Sequence, residues 1–287
     1  MTPTSKILAQ HIDVMLEDAR RKAFDDGVQD RRMTVDTTVS QVIAGRYEIE
    51  HPEGHYFVEP GEVYLHQANI PVAITHHFGS CGRMESHWVR FHSTIYKTHD
   101  AVSLFDMPLK VEGDVAREIG QTIEELVDVT NCAPAGSEGE FGRLMQDTYR
   151  VPMLLARIMQ AIVEVSTPRP GAFALLEHAN RMSPVLQYIH HHLAESIRVE
   201  DLADIACLSE SHFHTTFKQA FGDSPIQYIR ALRIREACRL LMGTHRQVQE
   251  IAEITGFGNA YYFCRAFKAQ LNVSPSQYRK INASMLT

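Results

Sequence analysis

Two runs of residues late in this 287-residue chain have the composition of a surface that reads nucleic acid. In the first, Phe213, Phe217 and Phe221 recur every four residues, the spacing of one buried helix face, and leave Ser211, His214, Thr215 and Lys218 on the opposite face. In the second, Phe263 and Phe267 are spaced for burial in the same way, and Ala260, Tyr261, Tyr262, Cys264, Arg265 and Lys268 face outward. A guanidinium forks onto guanine O6 and N7, a hydroxyl or imidazole donates or accepts at several bases, and an ammonium neutralises a phosphate. Tyr261 and Tyr262 fit base contact or packing and phosphate contact equally well, because most protein contacts to DNA go to its backbone. The chain has no nucleophile elbow, phosphate loop or glycine-rich dinucleotide turn, so no catalytic residue can be named.

The elements that must hold these side chains are written twice. Val199–Ile205 (VEDLADI) realigns on Val248–Ile254 (VQEIAEI) at an offset of 49, and after a one-residue insertion Phe213–Tyr228 realigns on Phe263–Tyr278 at an offset of 50. In the first copy Val199, Leu202, Ala203 and Ala206 form one face of a helix too short to stand alone, with Ser209 as the cap of the next helix. In the second, Ile251, Ala252 and Thr255 make the packing face, Gly256 supplies the turn and Asn259 is the cap. Pro225 opens a long connecting helix through Met242, with Arg230, Arg233, Arg235 and Arg239 left for solvent or phosphate. A duplicated helix, turn and helix suits entry into two successive major grooves.

From about Pro184 to Ile281 the chain resembles the DNA-binding domain of AraC/XylS-type transcription regulators. The most specific stretch runs from Ile251-Ala252 through Gly256-Phe257 and Tyr262–Lys268 to Ser274–Arg279. The resemblance implies two recognition helices. Base-reading candidates are then Ser211, His214 and Thr215 in the first and Ala260, Tyr261, Tyr262 and Arg265 in the second, with Lys218 and Lys268 set for backbone contacts. The first helix departs from the pattern in having no arginine on its reading face.

The preceding half changes period. An apolar stripe of Ile7, Leu8, Ile12, Met15, Leu16 and Ala19 predicts an opening helix from about Thr4 to Phe24. Short β-branched and aromatic runs then follow, at Thr37–Ile43, Arg46–Glu50, His55–Val58, Glu62–His66, Val72–His77 and Ser86–His92, divided by glycine and proline turns. Strands at this spacing predict an antiparallel barrel or sandwich with an interior able to hold a ligand. Val115, Ile119, Thr122, Ile123, Leu126 and Val129 repeat at helical spacing over Gly113–Val129, and Phe141–Val165 reads as a second helix kinked or broken at Pro152.

This order resembles the cupin-like effector domain that precedes many AraC-type DNA-binding domains, with Glu59–Leu65 similar to its proline-glycine turn and strand and His87–His92 similar to its later aromatic strand. The resemblance implies a small-molecule effector, often a sugar or related metabolite, and a homodimer paired through the first helix at Ile119, Ile123 and Leu126. A helix that only covers its own barrel is the competing reading. By alternation Trp88, Arg90 and His92 share one strand face and form the candidate effector site, although Trp88 fits ordinary barrel core as well. The alternative function is a metal-dependent cupin enzyme or a metal or redox sensor. The β-rich stretch lacks the string that a metal-binding cupin needs, a His-x-His pair, a glutamate a few residues on and a histidine from a later strand, since His76 and His77 are adjacent and point to opposite faces.

Charge and composition complete the frame. The net charge is −7, yet residues 184–287 hold 11 Lys and Arg against 9 Asp and Glu. That modest excess makes DNA binding salt-sensitive and favours a dimer. No run of about 18 apolar residues occurs, and the first residues lack secretory-signal character, which points to the cytoplasm. Cys81, Cys132, Cys207, Cys238 and Cys264 have no metal or disulfide spacing. The expected architecture is α+β: a helical extension (1–34), a cupin-like β-barrel with flanking helices (35–166), a linker (167–183) and an all-α DNA-binding domain with two helix-turn-helix motifs (184–287). The expected partners are double-stranded DNA, a small effector and a second copy, with RNA polymerase a further candidate. No enzymatic activity, cofactor or metal is expected.

Overall fold

The computed structural model describes residues 12–32, 34–96, 99–131 and 138–282. The chain divides into a strand-rich unit, residues 14–93 with 102–169, and a helical unit containing residues 94–101 and 170–287.

The strand-rich unit is built from two antiparallel sheets. One has the order β1 (Ile12–Phe24), β8 (Met84–Ile95), β3 (Thr37–Ala44), β6 (Val63–His66), β9 (Lys110–Val111); the other has the order β2 (Gln29–Arg32), β7 (Val72–His77), β4 (Arg46–His51), β5 (Gly54–Val58). All six expected strands form. Alternation then assigns their faces. Val42, Tyr64 and Met84 of the first sheet pack with Tyr47, Ile49, Val58, Val72 and Ile74 of the second, so the sheets share one core. The other face of the first sheet presents Val39, Val63, Leu65, Val89 and Phe91 to α1 (Gly113–Thr130) and α2 (Glu138–Glu164). The sheets form two separate strand orders, an open sandwich, which is one of the two architectures expected from the strand spacing; the closed barrel implied by the cupin-like resemblance is not formed among the described residues.

Further expectations change. The stripe from Ile12 to Ala19 lies on a 13-residue strand; Ile7 and Leu8 fall outside the described residues. Pairing with β8 overrides the helical pattern: Ala19 is buried, Val14 and Leu16 pack on the core, and the charged run Glu17 to Lys22 suits an edge strand that must resist further pairing. Ile119, Ile123 and Leu126, expected at a dimer interface, are 0% exposed within this chain's own core. Burying such a side chain contributes roughly 1.5 to 3 kcal/mol, and none of the three has surface left for a partner. Finally, α2 continues through Pro152 without a break, and Thr167-Pro168 pairs with Phe105-Asp106 as a short ladder instead of forming a linker.

The helical unit runs through α3 (Ala172–Arg181), α4 (Ser183–His191), α5 (Val199–Ile205), α6 (Glu210–Phe221), α7 (Pro225–Gly243), α8 (Val248–Ile254), α9 (Ala260–Leu271) and α10 (Pro275–Ile281). Aromatic rings fill it in two parallel sets: Phe213, Phe217 and Tyr228 in the first copy, Phe263, Phe267 and Tyr278 in the second. Both turns use the same device. Cys207 at φ 55° and Gly256 at φ 78° are left-handed, and the next residues, Leu208 and Phe257, donate their backbone N–H to Ala203 and Ala252. The inserted residue is Gly258, also left-handed at φ 61°. Gly256 has a second reason to be glycine: a Cβ there would lie 2.8 Å from the Ala194 carbonyl oxygen. Arg233, expected at solvent or phosphate, instead donates to the carbonyls of Leu193, Glu195 and Gly256 and ties this turn to the chain before α5.

Candidate nucleic-acid interface and interior polar site

Helices α6 and α9 are positioned by local chemistry that the sequence specifies. The Ser209 side chain accepts from His212 N–H and starts α6, and Gly222 at φ 81° ends it. Asn259 accepts from the N–H groups of Tyr261 and Tyr262 to start α9, and Asn272 at φ 59° ends it. Capping boxes at Ser224 and Ser274 open the helices that follow.

Exposure repeats almost position by position. Phe213 and Phe217, like Phe263 and Phe267, are fully buried. Ser211, Thr215 and Lys218 are exposed on α6, as are Tyr261, Tyr262, Arg265 and Lys268 on α9, while His214, Ala260 and Cys264 are half-buried. All nine sequence-derived DNA-contact candidates lie on these two helices, seven of them exposed and two, His214 and Ala260, half-buried. The Arg265 guanidinium lies 6.0 Å from the centroid of the Tyr261 ring, so the ring faces the fork that could meet a base edge. The Thr215 hydroxyl donates instead to the Ser211 carbonyl, 3.1 Å away.

The second site lies between the sheets. Trp88 and Arg90 point inward from β8 and are almost fully buried. Register sets their neighbours: Ser40 pairs with both Trp88 and Tyr64, and Thr38 pairs with both Arg90 and His66, giving two adjacent rows across three strands. Tyr47 binds Ser40 and Ser86 through its hydroxyl, Phe24 stacks on His76 at 3.8 Å, and Trp88 lies 6.3 Å from Phe24. Arg32 enters from the second sheet, 3.0 Å from the Asp30 carboxylate, which also meets His76 at 3.3 Å.

Burial shapes the protonation here. It pushes the His66 imidazole down to about 4, with the Ile70 carbonyl opposing and Arg32 and His51 adding to the depression. Burial would push the Asp30 carboxyl up, but its hydrogen bonds to His76 and Arg32 and their charges hold it well below the usual range. Thr38 Oγ1, the Tyr64 hydroxyl, Arg32 Nε and His76 Nδ1 are buried without a hydrogen-bond partner among the described residues. His92, the third expected effector residue, is taken up by Glu17 at 3.0 Å. Sequence reading missed Arg32, Thr38, Ser40, Tyr64 and His66, because membership of this site depends on strand register. His76 faces inward and His77 outward to Glu48, and the described residues hold no cluster of three or more His, Cys, Asp or Glu side chains suited to a metal.

Residues 202–281 match the model of a helix-turn-helix domain. Together with the duplicated units, that match defines the class of the C-terminal region. The matched stretch lies within the region whose residues resemble the DNA-binding domain of AraC/XylS-type transcription regulators. The MmsAB operon regulatory protein of Pseudomonas aeruginosa is 36% identical over 93 residues, 32% of this chain and 30% of that protein. The HTH-type transcriptional regulator YdeC of Bacillus subtilis is 32% identical over 105 residues, 37% of this chain and 36% of the relative. The chain thus spans about a third of the length of these curated relatives. Among solved structures, ToxT of Vibrio cholerae aligns over 94% of this chain and 98% of its own, at 13% identity and a TM-score of 0.46.

Proposed function

We propose that this chain is a sequence-specific DNA-binding transcription regulator whose activity responds to a small polar effector held between the two sheets of its strand-rich unit. The observation that carries the first part is the pair of equivalent helices, α6 and α9, which bury the same aromatic positions and expose polar and cationic ones. The second part rests on the interior polar site. Two guanidiniums, several hydroxyls and unpartnered donors beside the faces of Trp88 and Tyr64 suit a compact molecule rich in hydrogen-bond acceptors, such as a sugar or a related metabolite. Binding that favours one conformation of the chain then changes its affinity for DNA. RNA polymerase is the further partner this role implies, and the cytoplasm is where the role is exercised.

A homodimer fits this reading, with its interface on α2. Met145, Tyr149, Met153 and Val163 are exposed along one stripe of that helix. Antiparallel pairing with a second copy centred at residue 154 sets Met145 of each copy against Val163 of the other.

The test of the regulator is titration of the full chain with labelled genomic duplexes, with and without candidate sugars and acids, while Trp88 fluorescence follows effector binding. Saturable, salt-sensitive retention of particular duplexes that shifts with an effector supports the proposal. Retention that ignores every effector removes ligand control, and no retention at all removes the regulator.

A further inference from the structure

The two helix-turn-helix units share one scaffold but differ in what they show a duplex. At an offset of 50, Glu210 stands where Ala260 does, Ser211 where Tyr261 does, and Thr215 where Arg265 does; among the outward-facing candidates only Lys218 and Lys268 agree. Residues 199–223 of the first copy carry Glu200, Asp201, Asp204, Glu210 and Asp223 against the single Lys218. Residues 248–273 of the second carry Glu250 and Glu253 against Arg265 and Lys268. Glu210 lies in the first turn of α6, whereas the first turn of α9 has no acid. An acid there complements the helix dipole, yet it opposes phosphates near the end of a reading helix.

Reading capacity is split in the same way. Arg265 has five N–H donors and the Tyr261 ring beside it, so it can hold guanine through two bonds. Thr215 has one hydroxyl, already donating to the Ser211 carbonyl. Of the other first-helix candidates, Ser211 is short and His214 half-buried.

We propose that the two units are unequal readers. The second, through Arg265, Tyr261 and Lys268, carries most of the affinity and base discrimination of a half-site, and the acidic first unit contributes little to either. This rests on the DNA-binding reading above and adds a division of labour to it.

The experiment uses the full chain and its best-retained duplex, with each base pair of the site substituted in turn, and the variants Arg265→Ala, Thr215→Ala, Ser211→Ala, His214→Ala and Glu210→Gln. These five side chains lie on the helix surfaces, and an unchanged thermal unfolding curve checks that each variant folds. Arg265→Ala should lower affinity about 5- to 150-fold and abolish preference at one base pair. The three first-helix alanine variants should change affinity less than about threefold. Glu210→Gln should raise it about threefold on every duplex, the effect of removing a unit charge roughly 7 Å from a phosphate in water. Losses in the first-helix variants equal to that of Arg265→Ala, with base preference spread evenly over both sub-sites, would overturn the inequality and leave DNA binding intact. Failure of the unaltered chain to bind any duplex would overturn both.

Discussion

Acidification from pH 7 to pH 5 will destabilise the strand-rich unit through two buried histidines. His66 contacts the Ile70 carbonyl at 2.8 Å, and burial holds it near 4 against an ordinary value of 6.5. His87 contacts the Gln41 side chain at 3.0 Å; burial, helped by Arg21 and opposed by Glu85, also holds it near 4. Both are neutral in the folded chain. In the unfolded chain they take up protons below 6.5, so their contribution is complete above that pH and is lost as pH falls toward 4. At about 1.4 kcal/mol per tenfold change in proton affinity, each accounts for roughly 3 kcal/mol by pH 4 and roughly 2 kcal/mol by pH 5. The Asp30 carboxyl is held below the usual carboxylate range, so its contribution fades only under the histidine window. Trp88 is the only tryptophan in the chain and sits inside this unit, so urea unfolding followed by its fluorescence reports the effect directly. The urea midpoint should fall between pH 7 and pH 5, and His66→Gln should reduce the fall. A midpoint that holds steady or rises on acidification would refute the assignment of neutral buried imidazoles.

Lys268→Ala should weaken every duplex alike and lower the slope of log affinity against log salt by about one, measured by titration at several salt concentrations. Gly256→Ala should destabilise the helical unit by more than about 2 kcal/mol, since it adds left-handed strain and a clash with the Ala194 carbonyl; far-UV circular dichroism during denaturation reads this. Cys207→Gly, at the equivalent left-handed position, should be neutral or stabilising by up to about 1 kcal/mol in the same assay. Met153→Glu should convert a dimer to a monomer in light scattering without unfolding it, while an unchanged mass would place the interface elsewhere.

Where a physical signal is local, the sequence carried it. The alternation of Thr37 to Ala44 and Val72 to His77 announced strands, and the two copies of the helix-turn-helix unit announced their own caps and turns. Where the outcome depends on what packs against a segment, the sequence alone was insufficient. Ile12 to Ala19 has a helical stripe, yet an available edge at β8 draws it into a sheet. The stripe of α1 was legible, but whether it meets a second copy or its own sheet was not, and the burial of Ile119, Ile123 and Leu126 assigns it to the sheet. Trp88 and Arg90 were legible by period alone as neighbours on one strand face. Their partners Thr38, Ser40, Tyr64 and His66 required the register of three strands, which no local pattern encodes. Arg233 looked like a phosphate ligand because charged residues are usually solvated, and the free carbonyls that claim it exist only in the folded turn.

The most direct test of the account is to pass sheared genomic DNA over the purified full chain at near-physiological salt and sequence what is retained. Two reading helices, the second of them dominant, predict enrichment of a shared site with one sharply defined element and a weaker one about one helical turn away. Retained fragments with no common element would contradict the claim that the duplicated unit reads DNA.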